Sequence, residues 1–331
     1  MLLIAEIGQA HEGSLGLAHS YIEALADTGV DAVKFQTHIA DAESSEHEPF
    51  RVNFSYEDST RMDYWRRMEF TLEQWIGLKE HCDEKGLKFI SSPFSNAAVD
   101  LLEKVGISMY KIGSGEVNNF LMLEKIARTG KPIILSSGLS SYEELDKAVS
   151  FLNRYKIKTS LLQCTTAYPT KPEEWGVNVI HELKRRYQKP VGFSDHSGDI
   201  YACLAAAASD AEILEFHAVF SKQMFGPDTD ASLTIEQIKI LCKGVFQIKT
   251  AMDHPVDKTE NDKFQDLKQI FEKSLAVNRQ MNAGEIIEFD DLEAKKPKGF
   301  GIDANLYKQV LGKSLRNEKK KWDFLKTEDL K

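Results

Sequence analysis

A closed (β/α)8 TIM barrel followed by a small C-terminal domain is the fold that the sequence predicts, on three observations. Short apolar runs alternate with helix-patterned segments roughly eight times, a repeat and a size, about 250 residues, that suit a barrel. Nearly every apolar run ends in a cluster of polar residues able to do chemistry. An open doubly wound sheet gathers such residues at one switch point, whereas a barrel brings all its strand ends to one mouth. Beyond about Pro255 the alternation stops. The expected division is a barrel over 1–255, a charged linker over 256–270 and a small turn-rich domain over 271–331.

Leu2–Ile7 is read as the first buried strand, ending at Glu6-Ile7-Gly8. Ser14 is placed to cap a helix from Leu15 to about Asp27, and Thr28-Gly29 stops it. Val30–Phe35 is the second strand, running into Lys34-Phe35-Gln36-Thr37-His38. The polar, aromatic-rich stretch from Ile39 to Phe70 is too long for a simple connector and is expected to be functional or mobile. Thr71 opens a helix that Gly86 closes. Lys88–Ile90 then leads to Ser91-Ser92-Pro93-Phe94, followed by a helix to Val105. Ile107–Ile112 leads to Gly113-Ser114-Gly115-Glu116 and a helix from Phe120 to Arg128. Pro132–Leu135 precedes Ser136-Ser137-Gly138, and Ser141 opens a helix whose first turn carries Glu143 and Glu144, where negative charge suits the dipole. Thr159–Cys164 leads to Thr165-Thr166-Ala167-Tyr168-Pro169, and Pro190–Phe193 leads to Ser194-Asp195-His196. Ile213–Phe216 leads to His217, and Ile235–Ala251 is a helix.

Composition narrows the function. The net charge of −9 gives no support to nonspecific nucleic-acid binding. An anionic substrate needs locally focused cations against that background. Cys82, Cys164, Cys203 and Cys242 are widely spaced, which argues against a disulfide framework or a cysteine zinc site and suits a reducing cytoplasm. No signal peptide and no run of membrane-spanning length is read.

The chemistry sits at the strand ends. In Lys111-Ile112-Gly113-Ser114-Gly115-Glu116 a cation, a hydroxyl and a carboxylate are separated by glycines that let a ligand approach the backbone. Lys34 and Lys111 supply charge, and Ser92, Ser114, Ser136 and Ser194 supply short donors, the set that a phosphate or carboxylate needs. Serine also favours strand-to-turn positions, which accounts for one or two of these hydroxyls more readily than for four. His196 and His217 end successive strands and can hold one divalent metal, with nitrogen ligands leaning toward a transition metal. Glu6, Gln36, Tyr168 and Asp228 can grip a polyhydroxylated ligand, although Tyr168-Pro169 also reads as a turn with an aromatic lid. Glu318-Lys319-Lys320-Lys321 is read as a solvated face, and Arg185-Arg186 as the surface of an outer helix.

Taken together, these stretches resemble the sialic acid synthase (N-acetylneuraminate synthase) family over nearly the whole chain. The carriers are Ala5–Gly8, His11-Glu12-Gly13, Val33–Thr37, Ser92-Pro93-Phe94, Tyr110–Glu116, Ile134–Gly138, Cys164-Thr165 with Tyr168-Pro169, Gly192–His196, and Leu214-Glu215 with His217. The tail, Ala283-Gly284-Glu285 through Lys296-Pro297 to Leu311-Gly312-Lys313, is similar to the family's antifreeze-like (SAF) domain. The resemblance implies an enzyme that condenses phosphoenolpyruvate with an open-chain N-acetylated hexosamine such as N-acetylmannosamine, and the cysteine pattern gives a cytoplasmic location as the expectation. The product would be a nine-carbon 2-keto sugar acid, with phosphate released. It implies Glu116, Lys111 and Glu6 as catalytic residues, and Lys34, Ser92, Lys111, Ser114, Ser136 and Ser194 on phosphoenolpyruvate. Glu6, Gln36, Tyr168, Asp228 and Lys296 would hold the sugar, and His196 and His217 a divalent metal, Mn²⁺ ahead of Mg²⁺ or Co²⁺. It further implies a domain-swapped homodimer, in which Lys296 or Lys298 reaches the neighbour's mouth; from charge and hydropathy, no nucleic-acid or membrane partner is expected.

Three departures bear on the substrate. The chain starts at the first strand, so the barrel floor is expected to be covered differently. Thr166 stands where the family often has asparagine, and Lys296-Pro297 where an arginine is expected. Lysine cannot reproduce a planar bidentate contact, so a sugar other than N-acetylmannosamine is a possible substrate. Two further readings remain open on sequence: a sugar-acid aldolase or lyase on the same barrel, and a non-catalytic carbohydrate-binding relic.

Overall fold

The structure is a computed structural model that describes residues 1–52, 54 and 56–331. It divides into two compact units, Met1–His254 and Pro255–Lys331.

In the first unit the chain runs β1 (Leu2–Gly8), α1 (Leu15–Ala26), β2 (Ala32–Thr37), α2 (Ala40–Glu43), α3 (Arg61–Met68), α4 (Leu72–Glu84), β3 (Lys88–Pro93) and α5 (Asn96–Val105). It continues through β4 (Tyr110–Ile112), α6 (Phe120–Ala127), β5 (Ile133–Ser136), α7 (Tyr142–Arg154), β6 (Thr159–Cys164) and α8 (Asn178–Tyr187). The unit closes with β7 (Val191–Asp195), α9 (Tyr201–Ala208), β8 (Ile213–Val219), β9 (Leu233–Thr234) and α10 (Ile235–Asp253). Among the described residues, β1 to β8 pair in parallel in chain order, and β8 pairs back onto β1, with Glu6 opposite His217. That is the closed barrel. Its helix starts are fixed by side-chain caps: Ser14 accepts from Leu17 N–H, and Thr71/Gln74, Ser141/Glu144 and Thr234/Gln237 form reciprocal capping boxes.

Strand periodicity explains why the mouth is polar over an apolar floor. Successive side chains on a strand point to opposite faces. The outward set, including Leu3, Val33, Phe35, Phe89, Tyr110, Leu135, Leu161, Phe193, Leu214 and Phe216, packs under the helices in the main core. The inward set begins with Ile4, Ala32, Ile90, Ile134, Leu162 and Ile213, a separate apolar cluster filling the barrel floor. Two residues further along the same strands come Glu6, Lys34, Ser92, Ser136, Cys164 and Glu215, all buried. Gly192 occupies the floor layer of β7. A β-carbon there would lie 2.2 Å from the Ile213 carbonyl oxygen, so only glycine lets Ile213 fill that level.

The stretch from Ile39 to Phe70, read from the sequence as a long functional or mobile loop, carries regular structure. Residues 53 and 55 lie outside the described residues; the rest includes α2 and α3. Tyr64, Trp65 and Met68 of α3 bury with Ala40 in a small cluster of their own. Three apolar side chains on one face of α3, packed against Ala40 of α2, give this segment enough burial to order it. β8 also extends past Phe216 to Val219, so His217 lies inside the strand rather than after it.

The second unit contains α11 (Gln265–Phe271), which lies where a plain linker is expected, and the antiparallel pair β10 (Ser274–Val277) and β11 (Leu292–Lys295). Leu275, Val277, Met281, Ile287, Val310, Leu315, Leu325 and Leu330 form its core. Lys319, expected on a solvated face, is instead half-buried and paired with Asp329 at 2.6 Å. Arg185 and Arg186 are exposed on α8 as expected, with Arg186 paired to Asp146. Among the described residues no helix is long and apolar enough to cross a membrane.

Candidate active site

The barrel mouth opens into a cavity of about 370 Å³. Its lining includes Lys34, Gln36, Ser92, Lys111, Ser114, Glu116, Ser136, Tyr168, Ser194, His196, His217 and Asp228, so strand ends distant in sequence converge on one space. Glu6 lies in the same layer and joins it by hydrogen bonds.

Glu215, to which the sequence reading gave no role, is the hub. Its Oε1 accepts from Lys111 Nζ at 2.8 Å and Ser194 Oγ at 3.2 Å, and Lys34 Nζ lies 3.7 Å away. Lys34 also pairs with Glu6 and reaches Ser92 Oγ at 3.4 Å. Burial pushes the Glu215 carboxyl up, but Lys111 and Lys34 outweigh it and hold the group below the usual range. Burial likewise pulls the Lys34 ammonium down, and Glu215 with Glu6 more than restores it. The result is a pair of buried cations balanced by two carboxylates. Ser136 Oγ is buried beside them with no hydrogen-bond partner, and Glu215 Oε2 is also unpartnered. Buried polar atoms in native proteins are nearly all satisfied, so these two are positioned for something that enters the cavity.

The second layer faces the rim. Gln36 Nε2 donates to Glu6 Oε1 at 3.0 Å, while Gln9 Nε2 donates to Gln36 Oε1. Ser114 begins the turn Ser114–Glu116, and its Oγ accepts from Gly138 N–H at 3.1 Å. Gly138 has to be glycine here, because a β-carbon would lie 2.5 Å from Thr166 Oγ1 and 2.7 Å from Ser114 Oγ. Glu116 accepts from Asn119 Nδ2 at 2.8 Å; burial raises its carboxyl pKa against that hydrogen bond, with Glu43 adding to the rise.

His196 and His217 stand 5.3 Å apart between ring centres. His196 Nδ1 is 2.8 Å from the Thr165 carbonyl oxygen, which can only accept, so Nδ1 carries the proton. Nε2 then has a free lone pair, and in this arrangement it accepts from Tyr168 OH at 3.1 Å. Burial, with His217 next in size, drives the His196 pKa down to about 3, so the ring is neutral. A fixed tautomer, a neutral ring and a second imidazole alongside make a suitable donor pair for a divalent metal. Among the described residues no third His, Cys, Asp or Glu joins them, which would leave the other positions to water or substrate.

Two expected sugar contacts are already engaged. Asp228 pairs with Arg51 at 2.5 Å, and the Arg51 guanidinium lies 4.1 Å from the centre of the Tyr168 ring. Lys296 belongs to the second unit, where its ammonium sits over Phe271. Arg51, Arg61, Glu43, Glu48 and Trp65, all from the 39–70 stretch, line the cavity and were not anticipated.

Residues 21–257 match the NeuB family. The chain belongs to that family. It is 35% identical over 318 residues to the N,N'-diacetyllegionaminic acid synthase of Campylobacter jejuni, covering 94% of this chain and 95% of that one. It is 30% identical over 310 residues to the human N-acetylneuraminate-9-phosphate synthase, covering 90% and 84%. The solved N-acetylneuraminic acid synthetase of Leptospira borgpetersenii, in complex with citrate, superposes with a TM-score of 0.71 at 30% identity, covering 80% of this chain and 89% of that one. The relatives of this NeuB-family chain are nonulosonic acid synthases, and it is an enzyme of that class.

Proposed function

We propose that this enzyme condenses phosphoenolpyruvate with an open-chain N-acetylated hexosamine, giving a nine-carbon 2-keto sugar acid and phosphate. The observation that carries the reading is the Lys34–Glu215–Lys111 cluster beside the unpartnered Ser136 hydroxyl, facing the same cavity as the imidazoles of His196 and His217. Lys34, Lys111, Ser92, Ser114, Ser136 and Ser194 take the phosphate and carboxylate of phosphoenolpyruvate. Pre-aimed buried cations stabilise developing charge without reorganising, which is usually the largest catalytic term. C3 of phosphoenolpyruvate bonds to the aldehyde carbon, whose oxygen takes up a proton to become a hydroxyl; water adds at the cationic C2, and the tetrahedral intermediate collapses, its C2–O bond to phosphate breaking as the new C2 hydroxyl loses its proton and becomes the ketone. Glu116, half-buried and raised in pKa, accepts the proton of that water. Glu6, tied to Lys34 and Gln36, orients the sugar hydroxyls, together with Tyr168 and Asp228. Held by His196 and His217, a divalent ion such as Mn²⁺ would supply Lewis acidity at the aldehyde oxygen.

Also proposed, from the family resemblance of the tail, is that Pro255–Lys331 contains an antifreeze-like domain and that two chains swap it. Lys296 would then complete the mouth of the partner subunit. The four free cysteines suit a reducing cytoplasm. The test of the reaction is phosphate release measured with each substrate omitted in turn, with and without chelator. Release that requires phosphoenolpyruvate, sugar and metal supports the reading; release without sugar refutes it. A fully active compact monomer in scattering would refute the swap.

A further inference from the structure

We propose that Arg61, in the first turn of α3, is a specificity-determining residue that donates to a neutral acyl or hydroxyl oxygen at the distal end of the acceptor sugar, and that this rim excludes a sugar phosphate. The inference rests on the condensation reading above and concerns only the acceptor half of the site.

Arg61 lines the cavity with a side chain 13% exposed. Its Nε and Nη1 are buried and make no hydrogen bond. The Glu48 carboxylate lies 3.7 Å from Nε, close enough for charge attraction but too far for a hydrogen bond. A guanidinium is rarely left in that state, since each buried N–H without an acceptor costs stability. The group is also held in place, 4.3 Å from the centre of the Trp65 ring and 5.5 Å from that of Tyr64. Its free donors therefore stay directed by the packing of α3 rather than swinging into solvent.

Charge selects the class of acceptor group. The deeper cations, Lys34 and Lys111, are committed to Glu6, Glu215 and, in the reading above, to phosphoenolpyruvate. At the rim, Arg51 is already paired with Asp228. Apart from the lysine cluster, the cavity lining holds two guanidiniums, Arg51 and Arg61, and four carboxylates besides Glu215, namely Glu43, which is hydrogen-bonded to His38, Glu48, Glu116 and Asp228. A dianionic phosphate would enter a rim with an excess of negative charge, and like-charge contacts in a partly desolvated site oppose binding. A carbonyl or hydroxyl oxygen satisfies Arg61 without adding charge. Apolar surface is next to it: His38 is stacked between Trp65, at 3.9 Å, and Phe94, at 4.6 Å, and both of those rings line the cavity. That plate suits the methyl of an acetamido group or a deoxy carbon.

The experiment is steady-state phosphate release at saturating phosphoenolpyruvate. The acceptors are N-acetylmannosamine, its 6-phosphate and a 2,4-diacetamido-2,4,6-trideoxyhexose, tested on the wild type, Arg61→Gln and Arg61→Lys. Neutral acceptors are expected to exceed the 6-phosphate in kcat/KM by roughly 100-fold or more. Arg61→Gln should raise the acceptor KM roughly tenfold or more, while the KM for phosphoenolpyruvate stays within about twofold. Arg61→Lys should fall between, since it keeps the charge but loses the planar donors; it decides the matter if Arg61→Gln melts early. A preference for the 6-phosphate, an unchanged acceptor KM, or equal shifts in both KM values overturns the inference while leaving the synthase reading intact. Absence of phosphate release with every sugar overturns the synthase reading, and this inference with it.

Discussion

Removing Glu215 should unmake the electrostatic balance of the barrel mouth, and its cost can be worked from the contacts. Breaking a buried ion pair by deleting one partner costs about 3–5 kcal/mol, because a charge is left without a counterpart. Lys34 keeps Glu6 when Glu215 goes, but among the described residues Lys111 has no other ion pair. Glu215→Gln retains an amide oxygen to accept from Lys111 and should lie near the lower end, about 3 kcal/mol. Glu215→Leu retains nothing and should lie near the upper end, about 5 kcal/mol. Urea titration followed by tryptophan fluorescence measures this. It is best done in a Trp322→Phe background, so that Trp65, Trp75 and Trp175 report on the barrel unit alone. Inorganic phosphate should then stabilise both variants more than the wild type, because Lys111, left without its carboxylate, takes an anion in its place. A loss under about 1 kcal/mol for both variants, against the expectation for a buried pair, would show that the lysines are not held by Glu215. Equal gains from phosphate in variant and parent would show that they do not form an anion site.

The other predictions follow the same contacts. Asn119→Ala removes the hydrogen bond that favours the ionised Glu116, so the acidic limb of kcat/KM should move to higher pH; Glu43→Gln removes a repulsive charge and should move it lower. If neither limb moves, Glu116 is not the group that titrates. His196→Ala or His217→Ala should abolish metal uptake measured by calorimetry and lower kcat by roughly 10²–10³-fold, with the thermal transition of the barrel retained. Uptake unchanged in both would remove the metal from the account. Gly138→Ala pushes a methyl onto Thr166, Ser114 and Cys164, so the KM for phosphoenolpyruvate should rise and stability should fall by about 1–3 kcal/mol. An unaffected KM would mean that Ser114 does not touch that substrate.

The barrel was legible because its period is local. Ile4 and Glu6, Ile90 and Ser92, and Ile134 and Ser136 each sit two apart on one face, so floor and mouth can be read strand by strand. The same rule reaches Glu215, two residues beyond Ile213 and two before His217, although nothing in the linear sequence marks its two lysine partners. Arg51 and Arg61 could not be placed, because no periodicity carries them to the mouth. They arrive through the packing of Tyr64, Trp65 and Met68 with Ala40, a tertiary event within a stretch that reads as a loop. The Asp228–Arg51 pair was hidden for the same reason, since its members lie 177 residues apart. The helix starts, by contrast, were visible in Ser14, Thr71 and Ser141, whose caps depend only on neighbours three residues on.

A crystal structure with phosphoenolpyruvate and Mn²⁺ tests the account most directly. It predicts the phosphate and carboxylate of the ligand on Lys34, Lys111 and Ser136, with the metal bound by His196 Nε2 and His217 in the same cavity. Phosphoenolpyruvate bound away from both lysines, or a metal that ignores the two imidazoles, would contradict it.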